Sequence, residues 1–140
     1  MVTNTICRDL KQAENIRKVI GKMPNSFPEA LKYLMKCQRV TIEQLSEYSD
    51  LSTSTIKRLR TDEQHVITMN TLVRICIGLR LHPIISSELV ERSPLRLCVN
   101  IEHILYRELL RNIPNMTIEQ CMEALESIEE IKLSGKSISL

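Results

Sequence analysis

The segment of residues 41–61 constrains the fold of this chain more than any other, because it predicts two short helices joined by a very tight turn. Thr41 is a good N-cap, and Gln44 three residues later completes a capping box, so the first helix begins at the next residue. Asp50 ends that helix, and Ser52 is placed to cap the second one. Two helices this short need further helices against which to bury their apolar sides.

The apolar and polar residues of this segment fall on opposite faces. In the first helix the spacing points Ile42, Leu45 and either Tyr48 or Ser49 inward. In the second it points Ile56 and Leu59 inward. The outward face of the second helix then carries hydroxyls and cations, namely Thr53, Ser54, Lys57, Arg58 and Thr61. Leu51 is expected to enter the core between the two helices.

This pattern resembles the Cro/repressor (XRE-type) helix-turn-helix family, in which a small residue, a turn residue and a β-branched aliphatic residue stand at fixed offsets. Ser46, Asp50 and Ile56 occupy those offsets. The resemblance implies that the second helix enters the major groove of double-stranded DNA, so that Thr53, Ser54, Lys57, Arg58 and Thr61 face the groove. The family usually has glycine where Asp50 stands, so we expect this aspartate to adopt a left-handed conformation. Ile42 replaces a glutamine that is common at the start of the first helix.

A further helix is predicted before the motif. Ser26 and Glu29 have the spacing of a capping box, and Pro28 lies in the first turn, where it loses no hydrogen bond. This helix should end near Arg39. Its apolar side is formed by Phe27, Ala30, Leu31, Leu34 and Met35.

Two more helices are predicted after the motif. Thr68 caps the first of them, whose inner stripe is Leu72, Ile75, Cys76 and Leu79. Arg80 stands where the family usually ends this helix with glycine, and Pro83 is expected to end the segment. A short helix should follow over residues 86–92. The sequence therefore predicts an all-α fold with a repressor-like five-helix bundle, the helix-turn-helix DNA-binding domain, over residues 26–93.

The bundle is flanked by helices on both sides. Residues 5–20 predict an amphipathic helix, which places an N-terminal unit at 1–25 before the break at Pro24. The remaining residues, 94–140, predict a C-terminal helical pair, with Ile101, Ile104, Leu105 and Leu109 inward in the first helix and Ile118, Cys121, Met122, Leu125 and Ile128 inward in the second. Asn100 should cap the first helix, and Thr117 with Gln120 should open the second. The last seven residues are expected to fray.

Several classes of function are disfavoured. No run approaches the ~18 apolar residues of a membrane span and no export segment follows Met1, so we expect a cytoplasmic protein. The cysteines and histidines show no ligand spacing, so neither metal, cofactor nor disulfide framework is predicted: Cys7, Cys37, Cys76, Cys98, Cys121, His65, His82 and His103. No glycine-rich phosphate loop or nucleophile motif is present, and an enzyme is not expected.

The net charge of +2 is small, so DNA contact must come from local placement of charge. Lys57, Arg58 and Arg60 form the densest basic cluster, while residues 94–140 carry more acidic than basic side chains. We expect Arg58 to read guanine, because its guanidinium is a planar two-donor fork, and Lys57 to hold phosphate.

The leading hypothesis is a sequence-specific transcriptional regulator that binds an inverted repeat as a homodimer. The five-helix bundle leaves the apolar stripes of residues 5–20 and 100–131 unmatched, and the longer C-terminal stripe is the favoured dimer joint. The alternative for these helices is that they fold back onto their own bundle. The alternative for the whole chain is a protein-interaction module, such as an antitoxin or anti-repressor, that binds a protein partner through its flanking helices.

Overall fold

A computed structural model describes residues 2–62 and 65–133, with side chains from Leu10 onward. Within these ranges it contains eight α-helices, one 3₁₀ turn and no strand, which confirms the all-α class. The helices are α1 Val2–Gly21, α2 Phe27–Gln38, α3 Ile42–Ser49, α4 Thr53–Thr61, α5 Met69–Gly78, α6 Pro83–Arg92, α7 Ile101–Asn112 and α8 Ile118–Leu133, with the 3₁₀ turn at Ile113–Asn115. The side chain of Cys7 and the expected fraying of residues 134–140 lie outside what is described.

Helices α2 to α6 form a bundle around one apolar core. Helix α2 packs against α4, and α3 packs against both α4 and α5. The inner stripes predicted for α2 and α5 are buried as expected. The fully buried centre includes Ala30, Leu31, Leu45, Ile56, Leu72 and Ile75. Of the two residues of α3 that could face inward, Tyr48 and Ser49, it is Ser49 that does so, and it is completely buried.

The predicted caps within the helix-turn-helix are present. The Gln44 amide donates to Thr41 Oγ1 at 3.1 Å, and the Thr41 amide donates to Gln44 Oε1 at 3.0 Å. Ser52 Oγ accepts from the Thr55 amide at 3.1 Å. These side chains satisfy amides that a helix start leaves without partners, so both helices begin where the local sequence places them.

The predicted capping box at the start of α2 is wrong. Ser26 has the extended backbone of an N-cap, but its side chain makes no capping hydrogen bond. Pro28 supplies no amide in the first turn, and Glu29 instead accepts from Lys32 Nζ one turn ahead at 3.2 Å. The helix still ends as expected, because Arg39 follows it in a left-handed conformation with φ 56°.

Helix α6 begins three residues earlier than the sequence predicted. Pro83 opens this helix, and does not end the preceding segment, because a proline loses no hydrogen bond at the first helical position. His82 caps it, with Nδ1 accepting from the Ile84 amide at 3.2 Å. Between α5 and α6, Arg80 takes the left-handed place of the family's glycine, with φ 50°.

Helix α1 extends from Val2, beyond the predicted 5–20, and packs against α6. Ile16 is buried in this contact, whereas Leu10 stays 58% exposed. Tyr33 OH donates to the Val19 carbonyl at 2.7 Å and so ties α1 to α2. The apolar stripe of α1 is therefore only partly covered within the chain.

Helices α7 and α8 pack against each other and against α5. Cys121, Leu125 and Ile128 are buried as predicted, and Asn100 and the Thr117–Gln120 pair cap these helices as predicted. The expected C-terminal stripe is therefore matched by the chain's own bundle, as in the fold-back alternative.

The buried face of α7 differs from the prediction. Leu109 is buried as predicted, but Tyr106 and Leu110 are buried beside it, whereas Ile101 and Ile104 are 44% and 46% exposed. Burying Tyr106 removes a large ring from water while its hydroxyl finds a partner in Glu129 of α8. The face that includes the tyrosine therefore turns inward, and the two isoleucines turn outward.

Candidate nucleic-acid interface

The exposed face of α4 is defined by what the helix buries on its other side. Ile56 is fully buried and Leu59 almost so, and this fixes the rotation of the helix about its own axis. Ser54, Lys57, Arg58 and Thr61 are exposed, and Thr53 is half-buried at the start of the helix. All five predicted residues are thus brought together on one helix of nine residues, roughly 13 Å long.

The start of α4 has the polarity of an anion site. Ser52 Oγ accepts from the Thr55 amide and lies 2.8 Å from Thr55 Oγ1. The amides of Thr53 and Ser54 precede the first intrahelical hydrogen bond, where the helix dipole places partial positive charge. Such a helix start can receive a phosphate oxygen.

The turn between α3 and α4 is held by short side-chain bonds. Asp50 adopts the left-handed conformation expected of it, with φ 58° and ψ 34°. Ser46 Oγ donates to the Leu51 carbonyl at 2.5 Å, and Leu51 is half-buried, as an anchor between the helices should be. The three residues that carry the family resemblance therefore have direct structural roles: Ser46 and Asp50 in the turn, and Ile56 in the core.

Helix α5 supports this turn from outside the motif. Arg74 Nη1 donates to the Ser49 carbonyl at 3.3 Å and lies 3.7 Å from Asp50 Oδ2. Gly78 of the same helix lies against Leu45 and Ser49 of α3. Sequence reasoning gave Arg74 no role, because its partners lie some 25 positions earlier and no local pattern connects them.

The basic cluster of α4 is divided by the fold. Lys57 and Arg58 project from the exposed face, but Arg60 is half-buried, and its Nε is buried without a hydrogen-bond partner in the described part of the chain. Another cation that the sequence analysis did not single out, Arg39, is exposed just before the start of α3.

The described residues also show what kinds of site they can form. Among the described residues, no three His, Cys, Asp or Glu side chains gather closely enough to hold a metal ion. None of the helices in residues 2–62 and 65–133 combines the length and apolarity needed to cross a bilayer.

The central part of the chain matches a known family. The family described as the Cro/C1-type HTH DNA-binding domain matches residues 30–84. This range runs from the first turn of α2 to the first turn of α6 and contains the whole α3–α4 unit. No curated protein and no solved structure matches the chain. The resemblance inferred from Ser46, Asp50 and Ile56 is confirmed for the central bundle.

Proposed function

We propose that this chain, in which residues 30–84 form a Cro/C1-type helix-turn-helix DNA-binding domain of the XRE family, is a sequence-specific transcriptional regulator. One observation carries the proposal: α4 buries Ile56 and Leu59 and presents hydroxyls and cations on its opposite face. A helix held in this way can enter a major groove without rearrangement of the bundle.

Each residue of this face has a role that suits its chemistry. Arg58 would pair with guanine O6 and N7 through its two-donor fork, and Lys57 would hold a phosphate. Thr53 and Ser54 would meet phosphate or base edges at the helix start. Thr61 Oγ1 donates to the Lys57 carbonyl at 2.9 Å, so it offers DNA its methyl group and an acceptor oxygen.

Selection of bound duplexes from a random DNA library would test this function and define the half-site. On the selected duplex, Arg58→Ala should weaken binding by about 1–3 kcal/mol and relax preference at one base position, whereas Lys57→Ala should weaken all sequences evenly. Arg111→Ala, which removes an exposed cation from α7, is the matched control and should change little. A folded double alanine variant of Lys57 and Arg58 that binds as tightly as the parent would refute the assignment.

The regulator would act as a homodimer on an inverted repeat. One bundle of this type reads a single short half-site, whereas two-fold pairing doubles the contact and sets the half-sites about one helical turn apart. The C-terminal unit supplies a joint, because Val99, Ile101 and Ile104 remain exposed after α7 has packed onto the bundle.

Sedimentation of the full chain tests the dimer and its joint. At concentrations of roughly tens of micromolar, far above the Kd range of specific DNA binding, the parent should be dimeric and the Ile101→Ser/Ile104→Ser variant monomeric. Leu10→Ser, at the exposed apolar position of α1, is the matched control. A monomeric parent contradicts the dimer, and dissociation by Leu10→Ser alone moves the joint to α1.

A protein-interaction module is the competing function, and the exposed isoleucines of α7 would serve it equally well. A salt titration with random duplex DNA separates the two, because phosphate contacts make affinity fall steeply as salt rises. A regulator should show that slope, whereas an antitoxin-like binder that uses only its flanking helices should show no binding to titrate.

A further inference from the structure

A continuous chain of hydrogen bonds joins the C-terminal helices to the turn of the helix-turn-helix. Tyr106 OH of α7 donates to Glu129 Oε1 of α8 at 2.8 Å, and Asn70 Nδ2 of α5 donates to the same oxygen at 2.8 Å. Arg74 Nε then donates to Asn70 Oδ1 at 2.8 Å. The other end of this guanidinium donates to the Ser49 carbonyl, at the last residue of α3.

The chemistry of the four side chains determines which group donates and which accepts in each of these hydrogen bonds. An ionised Glu129 can only accept, so both of its partners must donate. Two effects raise the pKa of Tyr106: burial, which is the larger, and the hydrogen bond to Glu129. The hydroxyl therefore stays protonated and can donate. The Asn70 amide is thereby oriented, with its nitrogen toward the carboxylate and its oxygen toward Arg74.

This series of hydrogen bonds ends at the last residue of α3. The end of α3 and the turn after it determine the direction in which α4 leaves α3. The Ser49 carbonyl is one of the last four of α3, which have no partner within the helix, and a guanidinium there also suits the negative end of the helix dipole. The same guanidinium lies 3.7 Å from the left-handed Asp50. Arg74 therefore holds the helix end and the turn residue together.

We propose that Glu129 and Tyr106 are positioning residues for DNA recognition, which fix the α3–α4 turn through Asn70 and Arg74. This inference rests on the proposed function, since it concerns how α4 is aimed at the groove. Asn70 and Arg74 lie within the matched range of residues 30–84, whereas Glu129 and Tyr106 lie beyond it. The C-terminal pair is accordingly part of the DNA-reading machinery.

An exchange of amide and carboxylate in the full chain tests the proposal. Asn70→Asp keeps an oxygen for Arg74 but sets a second carboxylate against Glu129, and should weaken binding to the selected duplex roughly 2- to 30-fold. Adding Glu129→Gln supplies an amide that donates to the new carboxylate, and should restore most of the affinity. The matched control adds Glu126→Gln to Asn70→Asp, which makes the same charge change on the exposed face of α8 and should restore nothing.

The backbone amide NMR signals of Asp50 and Leu51 provide a readout that does not need DNA. They should shift in the Asn70→Asp variant and return toward the parent positions when Glu129→Gln is added. If the protein binds no DNA but these signals still shift and return as described, the proposed function is wrong and the structural link between the C-terminal helices and the turn is supported. Unmoved signals, or equal rescue of affinity by Glu126→Gln, would overturn the inference.

Tyr106→Phe keeps the test decisive if Asn70→Asp does not fold. This change removes one hydroxyl from a fully buried ring and leaves the packing of α7 intact. It should shift the same two amide signals and lower DNA affinity by roughly 2-fold or more. A variant whose turn signals and affinity both equal those of the parent excludes a positioning role for Tyr106.

Discussion

Replacement of Gly78 by alanine should displace α3, because α5 crosses α3 at this glycine with no room for a side chain. An added Cβ would lie 2.7 Å from Leu45 Cδ1 and 3.3 Å from Ser49 Cβ. Leu45 and Ser49 are both completely buried, so neither side chain can swing out into solvent. Relief of the overlap therefore forces Leu45 into a strained rotamer or moves the α3 backbone relative to α5.

The size of the effect follows from these distances. Carbon atoms pack best at about 3.5–4.0 Å, so the Leu45 contact must open by roughly 1 Å. Overpacking of this kind costs about 1–3 kcal/mol, while alanine recovers up to about 1 kcal/mol of helix propensity over glycine. Mid-range values of these two terms leave a net loss of about 1–2 kcal/mol in the free energy of unfolding, which lowers Tm by roughly 2–8 °C in a chain of this size.

Thermal unfolding checks this result against a matched control. Gly21 is also the last residue of its helix, but an added Cβ there would meet nothing within 4 Å. Gly21→Ala should therefore leave stability unchanged or raise it by up to about 1 kcal/mol. Gly78→Ala should also weaken DNA binding, because α3 carries the turn into α4. Equal Tm changes for the two variants would refute the packing argument, and so would parent-like stability of Gly78→Ala.

Three further predictions concern single side chains. In the native chain a thiol reagent should label the exposed Cys37, whereas Cys76, whose pKa burial raises to about 12, should react only after unfolding; fast native labelling of Cys76 would contradict its burial. Burial and the neighbouring Cys37 raise the pKa of Tyr33 to about 12. The protonated hydroxyl therefore contributes its full stability below the unfolded-state pKa of about 10, and this stability is lost as the pH rises through about 12. Tyr33→Phe should therefore be less stable than the parent at neutral pH but not at pH of about 12, as chemical denaturation at both pH values can show. Arg39→Gly should raise Tm by relieving a left-handed residue, and Arg80→Gly should raise it less, because Arg80 Nη2 donates to the Met116 carbonyl at 2.9 Å.

Helix starts were the most predictable part of the fold, because a cap depends on residues within three positions of one another. Thr41, Ser52, Thr68, Asn100 and Thr117 all cap as their local sequence indicates. Ser26 is the exception, since its side chain makes no capping hydrogen bond and the Glu29 carboxylate pairs with Lys32. The spacing of two residues thus indicates a capping box but does not by itself ensure that its hydrogen bonds form.

The face that a helix buries was less predictable than its start. In α7, the stripe that was expected to face inward contains Ile101, Ile104, Leu105 and Leu109, whereas the buried stripe contains Tyr106, Leu109 and Leu110. Both have helical spacing, so periodicity alone does not choose between them. The choice depends on α8, whose Glu129 receives the tyrosine hydroxyl, and this partner lies 23 residues further along the chain.

In the candidate site, too, the features that depend on nearby residues could be predicted from the sequence, and those that depend on distant residues could not. The outward residues of α4 could be predicted because they are the reverse of its buried Ile56 and Leu59. The hydrogen bonds that support the turn could not be predicted from the sequence. One of them joins Asn70 to Glu129 across 59 positions, and helical periodicity alone indicates that both are surface residues. The motif of residues 41–61 therefore carries the exposed hydroxyls and cations of α4, while α5 and the C-terminal pair supply the hydrogen bonds that reach the end of α3. Transplanted alone into another bundle, the motif would keep its cations and lose the guanidinium that holds the end of α3.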